Sequence, residues 1–286
     1  MKASARPRVL LDCWYGQPPT LVLGATGTTG RRVAQRLQDA GYAVRAASRR
    51  DQAPFDWSDP TTWEPAVTGT AGMYLMAPDG VPVEPSFVQL AVDRGIRRIV
   101  LLSSQSIEAM GDARLLAAER TVRDSGVDWT ILRAGWFHQN FDEGFFRPAV
   151  VAGELALPLG EVRQVFVDAE DIAAVAVAAL TGGGHAGRTY ALTGPRALSF
   201  AQALEIIGQA SGRSVRFGGA DADYLAQQAA LGAPEEQTRH EIKAFAALRA
   251  LGDARPTDAV RRVTGREPKD FATFAAEATA RGAWRG

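Results

Sequence analysis

Thr20-Leu21-Val22-Leu23-Gly24-Ala25-Thr26-Gly27-Thr28-Thr29-Gly30 carries an apolar run of strand type into three glycines spaced three apart. A helical pattern follows at once, with Val33, Ala34 and Leu37 on one face and Arg31, Arg32, Arg36 and Gln38 around it. Strand, glycine turn and helix in this order can hold a dinucleotide pyrophosphate. Glycines let the backbone approach the phosphates, and the free N–H groups of the helix start face the negative charge. A glycine pattern alone says little; the flanking strand and helix supply the context the motif requires.

Outward from that stretch, Gly41 ends the first helix and Tyr42 to Ser48 reads as a second strand, followed by Arg49 and Arg50. An acidic residue there would serve the ribose 2′-hydroxyl of NAD, whereas arginine can pair with a 2′-phosphate. This favours NADPH over NADH, the bland alternative being solvated loop arginines. Gly72 to Pro78 reads as a strand ending in a proline loop. Met76, Ala77 and Pro78 are therefore candidate cofactor neighbours, because strand C-terminal ends line the crevice of a doubly wound sheet. Arg98 to Leu102 is an apolar run ending in Ser103-Ser104-Gln105-Ser106, and a helix over Ala113–Ser125 leads to the strand Trp129–Arg133. Strand and helix thus alternate for over 100 residues, the signature of an α/β fold with a parallel sheet.

The second half is less regular. Val165–Asp168 precedes a helix favoured at its start by Asp168, Glu170 and Asp171. From Ser199 the chain reads as mostly helical, over Phe200–Ala210, Asp221–Leu231, Glu235–Leu251 and Asp270–Arg281. The expected organisation is an extension over residues 1–19, a dinucleotide-binding core over 20–198, and a smaller helical substrate lobe over 199–286 with contributions from 135–160.

Composition narrows the function. The 286 residues are 46% hydrophobic, enough for a substantial core, and 32 basic residues balance 32 acidic ones, so no bulk charge attracts nucleic acid. A single cysteine, Cys13, excludes an intrachain disulfide framework and a cysteine-built zinc site. His138, His185 and His240 show no metal-ligand spacing. No apolar run has membrane-spanning length, and the first 19 residues lack an apolar signal core and cleavage site; a soluble cytoplasmic protein is expected.

Several stretches together resemble one family: the Gly24–Gly30 turn, Phe55-Asp56-Trp57, Leu102-Ser103-Ser104, Asp124-Ser125-Gly126 before Thr130-Ile131-Leu132-Arg133, and Phe166-Val167-Asp168 before Asp171-Ile172-Ala173. The chain resembles the NmrA-like members of the atypical short-chain dehydrogenase/reductases, close to bacterial relatives of ergot-alkaloid-type reductases and antibiotic-tailoring NADPH ketoreductases. The resemblance covers Thr20 to about Ala278. It implies a Rossmann fold with NAD(P) across the strand ends. By it, Thr26, Gly27, Thr28 and Thr29 would hold the pyrophosphate, Ser48 and Arg49 the ribose phosphate, and Asp56 and Trp57 would lie near the adenine. Ser103 to Gln105 and the segment after Arg133 would border the nicotinamide.

One departure stands out. Reductases of this superfamily use Tyr-x-x-x-Lys, the tyrosine giving a proton while lysine lowers its pKa. None of the five tyrosines here has lysine four positions on, and no lysine occurs between Lys2 and Lys243. The superfamily's catalytic serine would fall near Ser104 or Gln105. A reductase without the tyrosine remains feasible, because hydride transfer needs mainly a bound cofactor and an aligned electrophile. Its proton would come from water, Ser104, His138 or an acidic hydroxyl of the substrate. The other class is a cofactor-binding sensor that does no chemistry. Trp136, Phe137, His138 and Phe141, just past a strand end, either line a flat pocket for a polycyclic aromatic substrate or pack the junction between lobes. The reading that follows is an NADPH-dependent reductase of a ketone or imine on an aromatic secondary metabolite.

Overall fold

A computed structural model describes residues 18–49 and 53–285. Arg50 and the extension through Gln17, including Cys13 and Tyr15, lie outside the described residues. Seven strands, β1 (Thr20–Leu23), β2 (Val44–Ser48), β3 (Ala53–Pro54), β4 (Gly72–Leu75), β5 (Arg98–Ser104), β6 (Asp128–Ala134) and β7 (Arg188–Leu192), form one sheet in the order β7-β6-β5-β4-β1-β2-β3. Every neighbouring pair is parallel. Strand alternation sends Tyr74 and Val100 to one face and Met73, Leu75, Ile99 and Leu101 to the other. Helices α1 (Gly30–Asp39) and α4 (Ala169–Thr181) cover the first face; α2 (Pro85–Asp93) and α3 (Ala113–Arg123) cover the second. This is a Rossmann-type doubly wound fold, in which a sheet buried on both faces reads as near-continuous apolar strands.

A third core lies beyond the sheet. Short strands Trp136–Phe137 and Gln164–Val167 pair with each other, and α5 (Phe200–Ser211), α6 (Asp221–Ala230), α7 (Glu235–Ala250) and α8 (Phe271–Ala280) gather Phe141, Phe146, Phe166, Phe200, Phe271 and Phe274 between them. Local caps fix the ends. Asp168 accepts from Glu170 N at the start of α4, and Ser199 with Gln202 forms a capping box on α5.

Two local differences from the sequence reading have physical causes. β5 runs on through Ser104 because β6 supplies partners as far as Ala134. The short helices Ile107–Met110 and Ala259–Thr264 span too few residues to show a period; Ala259 and Val260 pack into the α1/α4 side of the sheet. Among the described residues no helix is long and apolar enough to cross a membrane.

Candidate functional site

β1 lies between β4 and β2, so connections leave the sheet in opposite directions beside its C-terminal end and open a crevice there. The glycines make the close contacts that their spacing suggested. Gly24 has φ +64°, and a Cβ on it would stand 2.4 Å from Met76 Sδ; a Cβ on Gly30 would stand 2.1 Å from the Gly24 carbonyl oxygen. Met76, just past β4, is thus brought against the turn, with half-buried Ala77 and exposed Pro78 continuing from it. Thr26 is exposed and Gly27 and Thr28 are partly so, whereas the Thr29 side chain is buried. A turn closed by Cβ-free contacts, with an open outer side at a helix start, fits a dinucleotide pyrophosphate.

Arg32 reinforces this turn. Its Nη1 donates to the Thr28 carbonyl (2.7 Å) and pairs with Glu143 (3.0 Å), while Nε pairs with Glu170 at the start of α4 (3.0 Å). Arg31 also pairs with Glu143. Burial disfavours the Arg32 cation, but the hydrogen bond and charge of Glu143, then Glu170, outweigh it.

At the end of β2, β3 pairs alongside it in parallel, and Phe55 N donates to Ser48 O (3.1 Å). This brings the expected adenosine-side residues to one edge. Arg49 is exposed. The Asp56 carboxylate accepts from the Ser58 hydroxyl (2.7 Å) and amide (2.9 Å), and these bonds, aided by the Arg49 charge, hold it below its ordinary value. Trp57 is half-buried, edge-on to Phe55 and Phe87 at 5.0 and 5.1 Å, so packing fixes its position.

At β5 the two serines part company. Ser104 is exposed, its Oγ donating to the Gln105 carbonyl (3.3 Å). Ser103, expected beside the nicotinamide, instead points to the α3 face and donates to Glu119 (2.7 Å), because successive strand residues face opposite sides. Gln105 is pinned by Nε2 to the Leu192 carbonyl (3.2 Å). The described tyrosines offer no substitute acid. Tyr74 is fully buried in the core, Tyr190 bonds His185, and Tyr224 bonds Glu241 in the lobe. Tyr42 precedes β2, at the opposite edge of the sheet.

The aromatic segment after β6 requires two corrections. Phe141 is fully buried, ringed by Phe146, Phe166 and Phe271 with centroids at 5.2 to 5.8 Å, so it packs the lobe core and cannot line an open pocket. His138 is 1% exposed against Phe271 and Phe274, with Nδ1 3.5 Å from the buried Asp168 carboxylate; that enclosure removes it from proton delivery to the crevice. Trp136, half-buried, stands edge-on to Phe200, and Phe137 leans on the core beside α4. The junction-packing alternative therefore describes Phe141 and His138. The exposed aromatic nearby is Phe145, 63% exposed and two residues beyond Glu143.

Sequence reasoning missed Glu119, Arg133, Glu108, Arg32 and Glu143. In α3, Glu119 reads as one more polar residue of an amphipathic helix, and its full burial depends on what β5 and β6 present to it.

Comparison with known proteins shows the family and the fold of the chain. A family model described as NAD(P)H-binding matches residues 24–182. The chain is 36% identical over 273 residues to the uncharacterized oxidoreductase YesF of Bacillus subtilis, covering 91% of this chain and 95% of that one. It is 33% identical to the NAD(P)H azoreductase of Xenophilus azovorans, covering 92% and 99%. Among solved structures, an NADPH-dependent quinone oxidoreductase from Escherichia coli superposes with a TM-score of 0.74 at 21% identity, covering 90% of this chain and 98% of that one.

Proposed function

The chain belongs to the NAD(P)H-binding, NmrA-like family, whose members include NAD(P)H-dependent reductases, and from that premise we propose that it is an NADPH-dependent reductase of a ketone or imine carried on a flat aromatic molecule. The observation that carries this reading is the crevice beside β1, where the Gly24–Gly30 turn sits against Met76 and Arg49 stands at the end of β2. Bound there, NADPH would supply a hydride to the electrophilic carbon and leave as NADP+.

The chain's own residues do the rest. The turn accepts the pyrophosphate, and Arg49 meets the 2′-phosphate through its planar fork. Ser104 is the exposed hydroxyl at the end of β5, able to hydrogen-bond the substrate oxygen. A ketone then takes its proton from water, through Ser104 or from a hydroxyl of its own, while an iminium, already charged, needs none. Much of the rate comes from alignment, which lessens the need for a tyrosine acid. The azo reduction carried out by the Xenophilus azovorans relative supports a conjugated acceptor.

The test uses NADPH deuterated at C4, each face in a separate sample, incubated with the protein and metabolite extract from its source. A product heavier by one deuterium is the expected result and identifies the substrate. Confirmed NADPH binding without any labelled product would overturn the reductase reading in favour of a cofactor sensor.

A further inference from the structure

The helix that would carry the superfamily's tyrosine brings a buried carboxylate to the same end of the sheet. Glu119 of α3 is 0% exposed and accepts four hydrogen bonds: from Ser103 Oγ (2.7 Å), from Arg133 Nε and Nη2 (2.8 Å each), and from Arg123 Nη2 (2.8 Å). The Arg133 pair is two-pronged, the geometry that aligns a guanidinium most firmly. Burial alone would raise the Glu119 carboxyl, but Arg133, Ser103 and Arg123 hold it below its ordinary value, so it stays ionised and has no proton to give. It fixes Arg133 instead.

Arg133 has a second partner. Its Nη2 also donates to Glu108 Oε1 (2.7 Å), on the helix Ile107–Met110. That helix follows Ser104 and Gln105 directly, joined to them through Ser106, which holds φ +59°, the one non-glycine residue in the left-handed region among those described. Such a backbone persists where its surroundings over-determine it. Here Gln105 is tied to Ala134 O and Leu192 O on one side, and Glu108 is tied to Arg133 on the other. Ile107 is buried and Met110 leans on the lobe core.

We infer that Glu119 and Arg133 are positioning residues that act through Glu108 to hold Ser104–Met110 in the shape that presents Ser104 to substrate. This rests on the reductase reading for its site, and its charge relay spans three separate elements: the carboxylate of α3, the guanidinium of β6 and the short helix after β5. The segment would still fold without the tie, but it would sample other arrangements and bind an acceptor more weakly.

Glu108→Gln is the cleanest probe, because Glu108 is exposed and its loss disturbs no core. With menadione as acceptor, its KM should rise about threefold to fivefold, the range a partly exposed ion pair can supply, with NADPH affinity, kcat and Tm near those of the unsubstituted protein. Amides of residues 105–110 should exchange hydrogen faster while those of β5 stay protected. Glu119→Gln should raise KM further. Arg133→Lys, which keeps the charge but loses the two-pronged grip, should recover part of what Arg133→Met loses.

Unchanged KM and unchanged exchange in Glu108→Gln, with normal turnover by the unsubstituted protein, would overturn the inference. So would a fall in Tm in Arg133→Met and Glu119→Gln with KM of the folded fraction unaltered, since that is a structural role alone. Absence of turnover by the unsubstituted protein with every acceptor would strike the reductase reading instead, and amide exchange would then decide the tie by itself.

Discussion

Around β1 the C-terminal edge of the sheet is shaped by backbone: Gly24 bends to φ +64°, Gly30 lets α1 settle on the Gly24 carbonyl, and Met76 closes against them. Around β5 and β6 the same edge is shaped by charge, with Glu119 drawing Ser103, Arg133 and Arg123 together and Arg133 reaching on to Glu108. The first arrangement is mainly set by residues within one short stretch. The second, apart from the Arg123–Glu119 pair within α3, joins residues 14 to 25 positions apart along the chain. A ligand that needs close backbone approach is served by the first; a reacting group that must be aimed is served by the second.

The comparison can be broken at several points. Gly30→Val places branched carbon where even a Cβ would lie 2.1 Å from the Gly24 carbonyl oxygen, and should cost more than about 5 kcal/mol, in the exceptional class for one substitution. Circular dichroism and NADPH fluorescence read this; a folded variant that binds NADPH normally would show that the turn is not closed as described. Next in size, Phe141→Ala should cost about 3–5 kcal/mol in urea unfolding, as for a buried aromatic. A stable variant with a selectively raised KM would restore Phe141 to the pocket.

Arg49→Glu sharpens the backbone-built end. It should weaken NADPH about 10- to 100-fold, the worth of a charge-assisted contact to phosphate, and leave NADH nearly unchanged. Equal loss of both cofactors would mean that Arg49 does not read the 2′-phosphate. Acid should separate the two ends by a smaller margin. Folded Glu119 and Asp168 lie below their ordinary 4.5 and 3.8, so their stabilisation is fully present above those values and is lost as pH falls through the folded ones. Burial raises Asp142 and Asp171, which favour folding as they take up protons and so oppose the loss. The Tm of the unsubstituted protein should therefore drop in strong acid and that of Glu119→Gln drop less; parallel curves would place the Glu119 charge outside the fold's acid response. Smallest of all, Ser104→Ala should lower kcat less than about tenfold if water or substrate supplies the proton, against the 100-fold or more that loss of a true general acid costs.

Much of the fold could be read residue by residue. Leu21-Val22-Leu23 before Gly24 is a buried strand, and Val33, Ala34 and Leu37 face the sheet one helical turn apart. Asp168 announces α4 by capping it. The candidate cofactor residues were legible for the same reason: glycine spacing, a strand end and an arginine after β2 are local marks. The reacting end was not. His138 and Phe141 look like pocket residues because they follow a strand end, yet the helices at 200–211 and 271–280 close over them from far along the chain. Ser103 and Ser104 differ only by which face of β5 each occupies, and the extension of β5 to Ser104 depends on β6.

The sequence by itself determined the alternation of strand and helix, the glycine turn, the arginine that follows β2 and the absence of the Tyr-x-x-x-Lys pair, since each is a matter of residue type within a few positions. Only the tertiary structure decided that Glu119 is a fully buried anion, that Arg133 joins it to Glu108, and that Phe141 and His138 lie under the lobe. Burial and ion pairing are properties of what the rest of the chain brings alongside a residue, and a carboxylate in an amphipathic helix reads the same in sequence whether water or four donors from three side chains surround it.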